Sequence, residues 1–286
     1  MTGVVADRYA ILAPLGEGGV ANVFLAADRV DGRRVALKFF PPMRSSTEEF
    51  RREASATVPT RHPGLVRLVD AGVHEGAPWL AIEHVDGKDL REQLRAGAVP
   101  PGQVLDWMAQ VFDALDALHR VGLVHGDIKP ENVIREGDRL RVVDFGRARL
   151  RFLYGAGGAF PGTAPYMHPD LFAGGAATPA TDCFAAWVMA YELVAARRPF
   201  AVTDLRAAKP MSIPAFSPLA DEALDVLVGA GLRGELDSAR RSWVAIARYC
   251  RGCRDPMPSA ALPALPPPSL ARIARARVAS GHDLAL

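Results

Sequence analysis

Asp127, Lys129 and Asn132 fall within one short polar stretch, HGDIKPEN at 125–132, and Asp144 follows in LRVVDFG at 140–146. Asn and Asp offer hard oxygen ligands of the kind Mg²⁺ takes beside waters and substrate phosphates, which points Asn132 and Asp144 toward a metal. Asp127 is left to accept or orient a hydroxyl proton, and Lys129 to neutralise charge on a moving phosphoryl group. Upstream, VALK ends in Lys38, a charged residue closing an apolar strand, so it needs an anionic partner or an exposed edge. A nucleotide phosphate and Glu53 are the two candidates. In LGEGGVANV, Gly16 and Gly18 put backbone without Cβ between two strands, where it can approach phosphate oxygens. Each of these has an ordinary alternative, as a hairpin turn, a turn Asp or a surface Lys. Their order and spacing together carry the argument.

These residues need a scaffold, and the sequence changes period along its length. Tyr9–Leu15, Val23–Ala27, Arg34–Phe40, Val66–Val73 and Trp79–Glu83 read as strands, the first three forming a meander. Between the third and fourth, SSTEEFRREASATV has the charge order of a helix, acidic first and basic after, and Pro59 ends it. Beyond Gly87, Val104, Leu105, Met108, Val111, Phe112, Leu115 and Leu118 repeat at three and four, predicting an amphipathic helix that ends near RVGL. Phe184, Trp187, Val188, Tyr191 and Val194 predict a more buried helix. Leu224–Leu232 and Trp243–Tyr249 predict two more. The order implies a small β-rich lobe with one main helix, a connection near 83–88 and a larger helical lobe, an α+β architecture with a ligand cleft at the junction.

Composition narrows the function classes. The chain has 286 residues, 49% apolar and 23% charged, with a net charge of +2. That balance gives no reason to expect nucleic acid or a membrane surface as partner. MTGVVADRYAIL lacks the basic and apolar regions of a signal peptide, and the longest uncharged apolar run, Cys183–Tyr191, is too short to span a bilayer. A cytoplasmic protein is the expectation. Cys250 and Cys253 form a CxxC without a second pair and read as reduced thiols, while Cys183 reads as a core residue. From about Arg254 the chain is proline-rich and expected to run extended. LARIARARVAS after it reads as a short basic terminal segment.

The ordered set GEGGVANVFLA, VALK, Glu53, HGDIKPENV, DFG, GTAPYMHPD and TDCFAAWVMAYELVAARRPF resembles the eukaryotic-like (Hanks-type) Ser/Thr protein kinases, bacterial branch. The resemblance implies a bilobal kinase domain over residues 8–253, with an N-lobe at about 8–82, a hinge at 83–88 and a C-lobe at 89–253. A proline-rich tail occupies 254–286. It implies ATP with Mg²⁺ (Mn²⁺ as the alternative), a protein substrate carrying a Ser or Thr acceptor, and a regulatory partner at the tail as an option. Gly16 and Gly18 would cover the phosphates, with Ala21 in place of the family's third glycine. Val23 and Ala36 would line the nucleotide pocket, and Lys38 would hold the α- and β-phosphates and pair with Glu53. Ile82 would be the gatekeeper, with Glu83–Val85 as the adenine-binding hinge. Asp127 would be the catalytic base, Asn132 and Asp144 would bind the metal, and Lys129 and Thr163 would flank the acceptor hydroxyl. Asp182 would anchor the catalytic loop.

Four departures from that pattern qualify it. Gly126 replaces the Arg that docks a phosphorylated activation loop, and GRARLRFLYGAGGAFPG, the loop itself, has no Ser or Thr between Gly146 and Gly162, only Tyr154. Activity is therefore expected not to depend on loop phosphorylation. HPD at 168–170 replaces Ala-Pro-Glu, so Asp170 is expected to pair with Arg241. Thr57, close to Pro59, replaces an apolar helix residue that links the lobes. The segment Ala201–Pro218 is compact and proline-bearing. Two other readings stand beside the protein kinase. HGD also occurs in aminoglycoside phosphotransferases, so a small-molecule kinase is one, opposed by Lys129 and GTAPYMHPD. A pseudokinase acting as a nucleotide-binding scaffold is the other, opposed by the full set Lys38, Glu53, Asp127, Asn132 and Asp144.

Overall fold

Alternating apolar residues in the first eighty positions become a six-stranded antiparallel sheet of β1 (Val4–Val5), β2 (Tyr9–Glu17), β3 (Asn22–Asp28), β4 (Arg34–Phe39), β5 (Leu68–His74) and β6 (Ala77–Glu83), in the order β1-β2-β3-β4-β6-β5. The computed structural model describes residues 3–17, 21–41, 50–51, 53–54, 61–145, 149–150, 164–172, 174–200 and 222–250; of residues 17, 149–150, 223, 243 and 247–250 it describes the backbone alone. The period of two sends side chains of β4 to opposite faces. Val35, Leu37 and Phe39 join Tyr9, Ala26, Trp79 and Ala81 in a core of their own. Ala36 and Lys38 point the other way, opposite Ile82 and Leu80 of β6, which belong to the core shared with the helical lobe. The sheet curls. Tyr9 on β2 donates its hydroxyl to Asp70 on β5 at 3.0 Å although three strands separate them in the order, and Arg8 bonds both Asp70 and Asp28.

Helix is described at 50–51 and 53–54, inside the segment expected to be helical; the remainder of that segment, with Thr57 and Pro59, lies outside the described residues. Beyond the connection come β7 (Lys88–Asp89) and α1 (Leu90–Arg95), where Asp89 caps the helix by accepting from the Glu92 N–H at 2.8 Å. The helix α2 (Pro101–Arg120) starts with Pro at its first turn and buries all seven apolar positions expected of it. A second helix, α4 (Pro179–Ala195), following the short α3 (Pro169–Phe172), is buried along nearly its whole length and opens with a Thr178–Thr181 capping box. The helices α5 (Glu222–Leu232) and α6 (Ala239–Cys250) complete the lobe, with α2 packed on α4 and α6. Each fully buried Leu, Val or Phe in this core contributes roughly 1.5–3 kcal/mol. Among the described residues no helix is long and apolar enough to cross a membrane.

Short strands then place the polar loops. After β8 (Leu123–Val124), the hairpin of β9 (Val133–Glu136) and β10 (Arg139–Val142) pairs Val133 with Val142, and β7 adds on the outside of β9. This register brings position 132 beside position 143, where the Val143 N–H donates to the Asn132 carbonyl at 3.0 Å. Asn132 thus stands just before the hairpin and Asp144 two residues after it, on the same end. A two-residue strand, β11 (Arg149–Leu150), pairs with β8.

Candidate active site

Lys38 is the junction of the two lobes. Its Nζ lies 2.8 Å from Glu53 Oε2 and 2.7 Å from Asp144 Oδ1. Burial works against the ammonium, yet the Glu53 and Asp144 carboxylates outweigh it and hold Lys38 above its ordinary value, firmly protonated. The cross-strand register explains the surroundings. Gly16, Val23, Lys38 and Leu80 form one row across β2, β3, β4 and β6, and Ala36 stands opposite Ile82 in the next row on the same face. Val23, Ala36, Lys38 and Ile82 therefore line one wall, with Gly16 at its end. Gly18 lies outside the described residues.

The loop at 125–132 carries the second group of polar side chains. Asp127 Oδ2 accepts from Lys129 Nζ at 2.8 Å and from Asn132 Nδ2 at 3.2 Å, and the same amide group donates to the Asp127 carbonyl at 2.8 Å. With its NH₂ spent on Asp127, Asn132 retains its amide oxygen, a hard donor. Asp144 supplies a carboxylate from a backbone with φ of 64°, the left-handed region that costs an L-residue about 1–2 kcal/mol. A carboxylate and an amide oxygen beside an ammonium suit a divalent cation that also takes phosphate oxygens.

Asp182 holds this loop from below, as its place on the buried helix implied. Its carboxylate accepts the N–H of His125 and of Gly126, both at 2.8 Å, and sits 2.9 Å from His119 Nε2. The Gly126 N–H reaches it because Gly126 has φ of 78°, a conformation glycine adopts without a Cβ clash. The His125 ring lies between two backbone groups. Asp127 N–H donates to Nδ1 at 3.3 Å and Nε2 faces the Val143 carbonyl at 3.1 Å, which assigns the proton to Nε2.

One expectation changes. Asp170 does not pair with Arg241. Its carboxylate is exposed and 3.6 Å from His168, and Arg241 turns to Asp237, just before its own helix, at 3.3 Å. The physical reason is reach: a shortened carboxylate in the first turn of α3 points into solvent. The segment is tied down instead at Tyr166, whose hydroxyl donates to the buried Glu192 carboxylate and accepts from Arg91. Arg91 also bonds Glu131 at 2.8 Å and Glu192 at 2.9 Å. Burial first, then Glu192, pushes the Tyr166 hydroxyl well above its usual value, so it stays a donor. Sequence reasoning missed this cluster, although Glu192 as the sole acid in a long apolar helical run signalled a buried charge in need of partners. Glu83, in the segment that the resemblance assigns to the hinge, has its side chain bonded by Arg141 and Arg67. Thr163, Tyr154, Cys253 and the Ala201–Pro218 segment lie outside the described residues.

Residues 9–224 match the protein kinase domain family. The chain is 34% identical over 210 residues to the serine/threonine-protein kinase pkn2 of Myxococcus xanthus, covering 69% of this chain and 25% of that protein. It is 33% identical over 204 residues to the serine/threonine-protein kinase PrkC of Bacillus subtilis, covering 68% of this chain and 32% of that protein. The chain therefore spans about a quarter to a third of the length of these relatives. Its fold superposes on the PknI kinase domain of Mycobacterium tuberculosis with a TM-score of 0.67 at 26% identity, covering 86% of this chain and 97% of that one.

Proposed function

Because the chain belongs to the protein kinase family, we propose that it transfers the γ-phosphoryl group of ATP to a Ser or Thr hydroxyl of a protein substrate. The carrying observation is Lys38 bridged between Glu53 and Asp144, facing Asp127 with its Lys129 and Asn132 partners. In this reading residues 8–253 are the kinase domain and 254–286 a proline-rich tail. Lys38 binds the α- and β-phosphates, and the wall of Val23, Ala36 and Ile82 excludes water from the nucleotide.

Asp127 orients the acceptor hydroxyl and takes its proton as the oxygen attacks the γ-phosphorus in line and ADP leaves. Lys129, already on Asp127 Oδ2, neutralises charge on the transferring group. A Mg²⁺ ion would be held by Asn132 and Asp144 and would supply charge neutralisation between the phosphates. Positioning and fixed charge supply most of the rate. Protein rather than small-molecule substrates are favoured by Lys129 and by the anchored segment at Tyr166.

Activity is not expected to require activation-loop phosphorylation, since Gly126 carries no cation to receive a phosphate and the loop has no Ser or Thr. The test is transfer of labelled phosphate from Mg-ATP to a generic basic protein and to the enzyme itself. Asp127→Asn should reduce turnover by about 10³-fold, and Lys38→Met should do the same without unfolding the chain. Near-normal rates in Asp127→Asn would sink the assignment. Phosphorylation of hydroxylated small molecules alone would replace it with the small-molecule kinase. Active enzyme always modified at Tyr154, with an inactive Tyr154→Phe, would overturn the phosphorylation-independent part.

A further inference from the structure

Arg141 belongs to none of the chemistry above, yet its guanidinium is only 12% exposed and lies behind the connection between the lobes. It donates to Glu83 Oε2 at 2.7 Å and to the Leu65 carbonyl at 3.1 Å through the same nitrogen. Glu83 is the last residue of β6, and its N–H is taken by the Arg67 carbonyl at 2.9 Å. The Arg67 side chain also reaches Glu83, at 3.3 Å, but is 61% exposed, where an ion pair contributes little. The enclosed Arg141 contact is the stronger restraint. Burial raises the Glu83 carboxyl, but Arg141 and then Arg67 together outweigh that and hold it below its ordinary value.

The other end of the connection is pinned too. A Cβ on Gly87 would lie 2.1 Å from the Arg135 carbonyl oxygen, so that residue presses backbone to backbone on β9. Residues 84–86 are thus a short strap fastened at Glu83 and at Gly87. Arg141 also sits on β10, whose next residue is zipped to the N-lobe: Val142 N–H donates to the Gly64 carbonyl at 2.8 Å, and Val66 N–H to the Val142 carbonyl at 3.2 Å. The strand that delivers Asp144 therefore grips the strap through the Arg141 side chain.

Resting on the kinase reading, we propose that Arg141 is a positioning residue for the nucleotide's base: through Glu83 it fixes the backbone edge at 83–85 on which adenine lies. The polyphosphate is positioned separately, by Lys38 and Asp144. Arg141 should then govern affinity for the nucleoside part and leave the phosphate part alone.

The experiment compares wild type, Arg141→Met, Arg141→Lys and Glu83→Gln by calorimetric titration with Mg-ADP, by inhibition with Mg-tripolyphosphate and by steady-state kinetics. Arg141→Met should weaken ADP binding and raise KM for ATP by about tenfold, with kcat and tripolyphosphate inhibition within about twofold. Arg141→Lys should lose about threefold, because a compact ammonium lacks the rigid fork. If Arg141→Met fails to fold, the Lys variant decides. Glu83→Gln should weaken ADP in the same way, and adding Arg141→Met to it should cost little more. Unchanged ADP affinity in the folded variants overturns the proposal, as does an equal loss of ADP and tripolyphosphate, the signature of general loosening. Wild type that binds tripolyphosphate and ADP equally poorly overturns the kinase reading itself, and this proposal with it.

Discussion

Asp182 and Asp170 are both carboxylates in the first turn of a helix, yet Asp182 is 2% exposed and Asp170 79% exposed. Around Asp182, two backbone N–H groups and the His119 ring converge on one carboxylate and fix the loop that carries Asp127. Among the described residues the Asp170 carboxylate meets only His168, on the same segment, and so ties nothing distant together. The segment that holds Asp170 is anchored elsewhere, at Tyr166, Glu192 and Arg91. Glu192 and Asp182 lie on the same buried helix, so α4 holds both the catalytic loop and the segment after it. An anchor is therefore strong in proportion to burial and to the number of groups that would be stranded without it.

That contrast can be broken most sharply at Asp182. Asp182→Ala strands two buried N–H groups and an imidazole and should cost about 3 kcal/mol or more, with phosphotransfer falling at least about a hundredfold. Thermal unfolding and the transfer assay read both, and a loss below about 1 kcal/mol would remove Asp182 from its role. Tyr166→Phe should come next, at about 1–2 kcal/mol, since it withdraws a donor from the buried Glu192 carboxylate. Its KM for protein substrate should rise more than its KM for ATP, and the reverse order would argue against a peptide-side role. Gly126→Ala forces a side chain onto φ of 78° and should cost about 1 kcal/mol. Phosphatase treatment should leave the activity of Gly126→Arg unchanged, since the loop offers it no phosphoserine or phosphothreonine. Asp170→Ala and Arg241→Ala should each stay within about 0.5 kcal/mol of wild type, as exposed positions do. A larger and mutually dependent effect in a double-mutant cycle would restore the pairing that the sequence suggested.

Much of this was readable in advance because the readable parts are local. β-rich runs predicted the strands that become β2 to β6, and the three-and-four repeat predicted α2 and the buried stretch of α4. The motif set brought Lys38, Glu53, Asp127, Asn132 and Asp144 forward as one group, and the structure draws Lys38, Glu53 and Asp144 to a single ammonium. What was not readable depends on partners far apart in the chain. Arg91 meets Glu192 across 101 positions and Arg141 meets Glu83 across 58. Neither arginine has a local pattern that distinguishes it from a surface residue. The expected Asp170–Arg241 pair failed for the same reason, since reach and exposure are properties of the folded backbone.

The sequence by itself determined the chemistry: which oxygens and ammonium groups are available, and that no Ser or Thr stands between Gly146 and Gly162. Composition and spacing suffice for that, because side-chain chemistry travels with residue type. Only the tertiary structure decided how these groups are held. The left-handed backbone at Gly126 and Asp144, the convergence on Asp182, and the clamp of Arg141 on Glu83 arise from strands and helices packed against one another. Buried charges must find partners wherever packing brings them, and that geometry exists only in the folded chain.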